Sequence, residues 1–327
     1  MEVSFPKKLK KIAAFALILV LALSVLSACA PQEAAATKNG ISIVSTVFPS
    51  YDFARQITAG TNANVTLLLQ PGEEVHSFDP TSQDIIRVQS ADLFLYVGGE
   101  NDTWVEGVLK GLDKSVNTFR MMDYVTLYDE ELVEGMQPEK EDTAAADAAG
   151  AHEWDEHVWT APVNAIAIVK AMTAELIAID PGNAASYQTN SDAYVKQLET
   201  LDQSFRDVVD TAVRKTVVFA DRFPVRYFVE EFGLQYYAAF PGCSAETEPS
   251  AATVASLINH IKTEKIPVVF YIEMSNQQMA NTVAEATGAK TMLFHTCHNV
   301  TRAEFESGAT YLSLMQNNVL ALKAALN

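Results

Sequence analysis

Three histidines in three separate stretches have the right chemistry to hold a transition metal: His76, His157 and His295. A neutral imidazole offers one ring-nitrogen lone pair and is a preferred ligand for zinc and its neighbours. The chain has only six histidines, so their placement matters more than their number. His157 lies in Asp155-Glu156-His157-Val158-Trp159, which closes an acidic, Ala-rich stretch and precedes a helical segment opening at Pro162. His76 sits in a loop between the breaks Pro71-Gly72 and Pro80. His295 opens His295-Thr296-Cys297-His298, two imidazoles and a sulfur in four residues, which cannot all easily point at one ion.

Two other chemistries are excluded. His152 and His157 flank an acidic run that superficially resembles a zinc-protease helix. That motif needs its histidines four apart on one helical face; a separation of five turns them about 140° away from each other. A formal net charge of −18 argues against a nucleic-acid partner and suits a protein that handles cations.

The N-terminus reads as an address. Lys7, Lys8, Lys10 and Lys11 precede an apolar run from Ile12 to Leu26, and Leu26-Ser27-Ala28-Cys29 resembles a bacterial lipobox. Lipidation of Cys29 and export follow as expectations. The remaining cysteines, Cys243 and Cys297, are an even pair in an exported chain, which suggests a disulfide adding about 4 kcal/mol in the chain-entropy picture. Thiolate ligation of a soft metal is the competing reading.

The elements that must position these residues follow a β/α rhythm. Strand-like runs at Ile41–Val47, Val65–Leu69 and Asp92–Val97 alternate with helical patterns at Tyr51–Thr58, from about Thr81, and at Asp102–Leu112. After the acidic stretch come helices over Pro162–Ile179 and about Asn183–Val213. The rhythm then resumes through strands near Thr216–Ala220, Leu234–Phe240, Val268–Ile272 and Lys290–Phe294, and a last helix is expected over Glu304–Leu326. This predicts an α/β fold of two β/α lobes, each a mostly parallel sheet flanked by helices, joined by one long helix. The expected division is a lipoprotein signal peptide (1–28), a tether (29–40), an N-terminal lobe (41–182) with a mobile acidic loop (129–156), a linking helix (183–213) and a C-terminal lobe (214–327). In open α/β sheets ligands sit beyond the carboxyl ends of strands. His76, Cys243, Glu273 and His295 all fall at or just past such ends.

Pro71-Gly72 through His76 to Pro80, then Ala91-Asp92-Leu93, Gly98 and Trp104, resembles the first ligand loop of metal-binding lipoproteins of ABC importers, the cluster A-I family for zinc and manganese. Asp155 to Trp159 resembles the family's second motif, Asp-Pro-His-Val-Trp, with Glu156 in place of Pro. Glu248-Pro249-Ser250 and Val269 to Glu273 resemble two further segments. The resemblance implies an ion held in a cleft, first-lobe ligands His76 and His157, an ABC permease as partner, and no covalent chemistry. It departs in the second lobe, where Asp221-Arg222-Phe223-Pro224 stands where a ligand is usual; a guanidinium has no lone pair to give. The last ligand of the family falls near His295, which is the expected third ligand. The fourth stays open among Asp221, Glu246, Cys297, His298 and water. Two or three imidazoles favour zinc over manganese. The expected protein is therefore a lipid-anchored, extracytoplasmic monomer carrying zinc or a related divalent metal. An exported zinc-dependent hydrolase, with Glu156 or Glu273 as base, and a surface adhesion lipoprotein are the alternatives.

Overall fold

The computed structural model describes residues 40–73, 78–99, 102–112, 115–136, 153–244 and 248–327. Cys29, His76, His152 and Glu246 lie outside the described residues.

The first half builds β1 (Ser42–Ser45), α1 (Phe48–Thr58), β2 (Asn64–Leu67), α2 (Ser82–Ser90), β3 (Leu93–Tyr96), α3 (Thr103–Gly111) and β4 (Asn117–Arg120). Their four strands form one parallel sheet in the order β2-β1-β3-β4. After α4 (Pro162–Ile179) and α5 (Ala184–Asp210), the second half adds β5 (Thr216–Phe223), α6 (Arg226–Phe232), β6 (Gln235–Pro241), α7 (Ala251–Glu264), β7 (Val268–Tyr271), α8 (Gln278–Thr287), β8 (Lys290–Leu293), α9 (Arg302–Glu306) and α10 (Tyr311–Leu326). Its sheet is also parallel, in the equivalent order β6-β5-β7-β8. The expected α/β class is thus observed.

Local chemistry explains where elements start and stop. Thr81 caps α2 through a reciprocal capping box with Asp84. Pro162 opens α4 at its first turn, where a missing N–H costs nothing. α5 runs 27 residues, roughly 40 Å, and packs on α4, α10 and α1. The expected last helix is two: Gly308 takes φ 79° after α9, and Thr310 then caps α10 with a capping box of its own. β4 was not expected; its four residues read Asn-Thr-Phe-Arg, with only Phe119 buried.

Apolar burial forms three clusters. The largest runs through both halves and joins Phe53, Trp159, Tyr187, Phe205, Phe228 and Tyr311 beneath the two sheets' helices. A second lies under α7 and α8, a third under α2 and α3, so each sheet is covered on both faces.

The expected mobile loop is anchored at both ends. Asp129 and Trp154 form an antiparallel bridge, the Glu130 N–H donates to Glu153 O (2.8 Å), and the Asp155 N–H donates to Tyr128 O (3.0 Å). The stretch leading to His157 is therefore paired backbone, with Asp155 and Glu156 each 1% exposed.

Candidate metal centre

Two turns, from opposite halves of the chain, present the central side chains. The first is the short 3-10 turn Val158–Thr160 that follows His157. Its Trp159 is buried and donates its indole N–H to the carbonyl of Thr296 at 2.8 Å, pinning one turn to the other. Tyr311 donates its hydroxyl to Trp159 O at 2.7 Å from the far side.

The second turn is Thr296-Cys297-His298, just beyond β8. The Glu273 carboxylate organises it: Oε2 accepts the Thr296 N–H (2.7 Å), and Oε1 accepts the His298 N–H (3.1 Å) and the Thr296 hydroxyl. Cys297 takes φ 64°, a left-handed kink that reverses the chain between His295 and His298.

These turns bring Glu156, His157 and His298 together. One ligand atom from each lies within 4.8 Å of the others, and all three residues are buried. The two imidazoles meet edge to face, with centroids 5.0 Å apart, and Trp159 covers His298 at 4.9 Å. Glu156 packs directly on Gly99, where any Cβ would overlap its side chain.

Asp155 sets the state of His157. Its Oδ1 accepts the His157 backbone N–H (2.8 Å) and faces Nδ1 at 3.1 Å. With the ring proton on Nδ1, the lone pair is on Nε2, and Nε2 is buried without a hydrogen-bond partner. An orphaned, buried lone pair on a residue grouped with two other ligand-type side chains suits a cation. Burial alone would push the His157 pKa down. The charge and hydrogen bond of Asp155, followed by Glu156 and Glu130, override it and raise the pKa above its ordinary value. Burial, then the Asp155 charge, pushes Glu130 up to about 7 against the Cys243 N–H it accepts at 2.8 Å. A cavity of about 30 Å³ opens beside the cluster, lined by Glu73, His157, Arg222, Glu273, Thr296 and His298 among others. That is room for one small guest.

His295 is not brought to this group. Its Nδ1 accepts the Cys297 N–H at 2.9 Å, so the neutral ring carries its proton on Nε2, which faces Glu304 Oε1 at 3.7 Å. Neither nitrogen then has a lone pair to give, and the ring lines a different cavity, with Met292, Leu314 and Asn318. His298 takes the place in the cleft that sequence reasoning gave to His295. Asp221 also turns away, accepting the N–H groups of Arg222 (2.9 Å) and Ile272 (3.4 Å).

The expected disulfide is not formed; Cys243 and Cys297 are free thiols. Their surroundings differ, which explains it. Cys243 sits among Glu156, Glu130 and Asp155, whereas Cys297 faces Glu273, Asp52 and Glu304. Burial raises both thiols well above their ordinary pKa, and those carboxylates raise them further.

Sequence reasoning missed Glu156 as a ligand-type group and Asp155 as the residue orienting His157. The Gly98-Gly99 pair was the available signal, since a glycine beside a strand end permits close approach.

Fold and site together define an α/β protein of two parallel sheets, with metal-ligand groups gathered past the strands' carboxyl ends. Residues 43–325 match the family model described as ZnuA, zinc-uptake complex component A, periplasmic. The chain belongs to this family. It is 33% identical over 299 residues to the zinc-binding lipoprotein AdcA of Streptococcus pneumoniae, covering 91% of this chain and 58% of that relative, so it spans little more than half that protein's length. It is 32% identical over 288 residues to the high-affinity zinc uptake system protein ZnuA of Bacillus subtilis, covering 87% of each. The Zn(II)-bound ZnuA-like domain of Streptococcus pneumoniae AdcA superimposes with a TM-score of 0.72 at 31% identity, covering 88% of this chain and 99% of that one.

Proposed function

We propose that this chain captures a divalent transition-metal ion, zinc by preference, outside the cytoplasm and passes it to the permease of an ABC importer. The carrying observation is the buried group of ligand-type residues Glu156, His157 and His298, together with the buried, unpartnered Nε2 of His157. Two imidazoles and one carboxylate are a borderline-soft set that suits zinc better than hard cations.

His157, His298 and Glu156 are the ligands in this reading, with His76 as a further one. Lipidation at Cys29 would keep the protein at the membrane surface beside its permease. The chain is no enzyme in this reading. Glu273, the base a hydrolase would need, is occupied by two N–H groups and a hydroxyl, and Glu156 serves as a ligand.

Elemental analysis and zinc titration of the purified chain test this. We expect one zinc per chain. His157→Ala and His298→Ala should lose more than the ~10–100-fold in affinity that changes behind a ligand cost, and Asp155→Asn should fall within that range. Unchanged zinc content in both histidine variants would sink the assignment.

A further inference from the structure

Arg222 lies in the cleft and cannot be a ligand, yet the fold aims it there. The pairing of β5 with β6 shifts register between Phe219 and Arg222, at the carboxyl end of the sheet. Such irregularities re-aim side chains near sites. Arg222 lines the cavity that His157 and His298 line. The Asp221 carboxylate accepts its backbone N–H at 2.9 Å, and its Nη1 reaches the carbonyl of Ser244 at 3.5 Å.

A guanidinium keeps its charge at every accessible pH. Among the described residues that line the cavity or complete the ligand group, Glu73, Glu156 and Glu273 bring negative charge and Arg222 brings the positive charge. Among the described residues, one fixed cation thus shares the cavity and its ligand group with three carboxylates.

We propose that Arg222 is the charge-setting residue of the metal site: it holds affinity down so that the ion can leave, and it discriminates against ions of higher charge. This rests on the metal-binding reading of the cleft. The mechanism is Coulombic. A unit charge ~8 Å from a divalent ion, at an effective dielectric near 20, weakens binding about a thousandfold before screening by solvent and counter-ions, so about tenfold is a floor. The penalty grows in proportion to ion charge. A factor of about tenfold on a divalent ion therefore becomes about thirtyfold on a trivalent one.

The test compares the wild-type chain with Arg222→Met and Arg222→Lys, titrated with zinc(II) and, separately, with terbium(III) as a hard trivalent probe. Arg222→Met should bind zinc at least about tenfold more tightly, release it more slowly, and gain more affinity for terbium than for zinc. Arg222→Lys keeps the charge and should stay within about threefold of wild type for both ions. A purely structural role would move both ions by the same factor, or would weaken binding in both variants. Equal zinc affinity in wild type and Arg222→Met, or equal gains for the two ions, overturns the role given to Arg222 and leaves the capture reading standing. A wild-type chain that binds no zinc overturns both.

Discussion

Gly99→Ala isolates the contribution of Glu156. Gly99 follows β3 with φ outside the left-handed region, so the backbone accepts alanine without strain. The obstacle is steric. The added Cβ would overlap both the Cβ and the carboxylate of Glu156. Because the overlap includes Glu156 Cβ, rotating the side chain does not relieve it; the backbone at Glu156 must move, and His157 is the next residue. Overpacking of this kind costs about 1–3 kcal/mol, and at about 2–4 °C per kcal/mol the metal-free protein should melt several degrees lower. Zinc affinity should fall further than stability, by at least ~10–100-fold, because two of the three ligand atoms are displaced. Isothermal titration and thermal melting of the same preparations separate the two effects. Gly107→Ala is the control. Gly107 lies in α3 with nothing within 4 Å of an added Cβ, so it should gain about 0.5–1 kcal/mol and leave zinc binding unchanged. A Gly99→Ala protein with wild-type zinc affinity would refute the placement of Glu156 at the metal.

Two further outcomes follow from buried groups. Glu130 is pushed up to about 7 by burial and the Asp155 charge, so the folded chain binds its proton more tightly than the unfolded chain does. That contribution to stability is complete below the ordinary carboxylate pKa and is lost as pH rises through about 7; His157, also raised, acts in the same direction. The metal-free protein should therefore melt lower at pH 8 than at pH 5.5, and Glu130→Gln, which still accepts the Cys243 N–H, should flatten that slope; parallel slopes would remove the assignment. Alkylating the denatured, unreduced chain from residue 40 onward should label both Cys243 and Cys297, and a mass showing neither labelled would mean that they pair after all.

Much of the fold was legible because glycine and proline mark its boundaries. Gly98-Gly99, Pro162, Gly233 and Gly288 fall at or just past an element's edge, and Pro71-Gly72 lies in the loop after β2. β4 escaped notice because an edge strand buried at one position carries no alternating pattern. The helix expected over Glu304–Leu326 was overextended because Gly308 was not read as a stop. His157 stood out through its motif and its place before a helix that opens at Pro162. Choosing between His295 and His298 was beyond sequence, since the choice depends on the left-handed φ of Cys297 and on a carboxylate 25 residues away in the chain, Glu273. The disulfide failed for a related reason: residue count and compartment say nothing about which side of a turn a thiol faces.

The arrangement also says why capture should be felt throughout the chain. His157 and His298 come from opposite halves, and their turns touch through Trp159 and Thr296. The same region carries other cross-links between the halves. The Asn299 amide donates to the carbonyls of Gln70 (2.8 Å) and Glu73 (2.9 Å), and Tyr227 gives its hydroxyl to Asp155 O at 2.6 Å. A cation bridging the two imidazoles binds only conformations in which both turns are in place, so by mass action it stabilises all of these contacts together. Without the cation, the buried lone pair of His157 is left unsatisfied at the same junction. In the proposed reading, binding would relieve that local cost and hold the two turns together in one step, so zinc should raise the melting temperature of the chain.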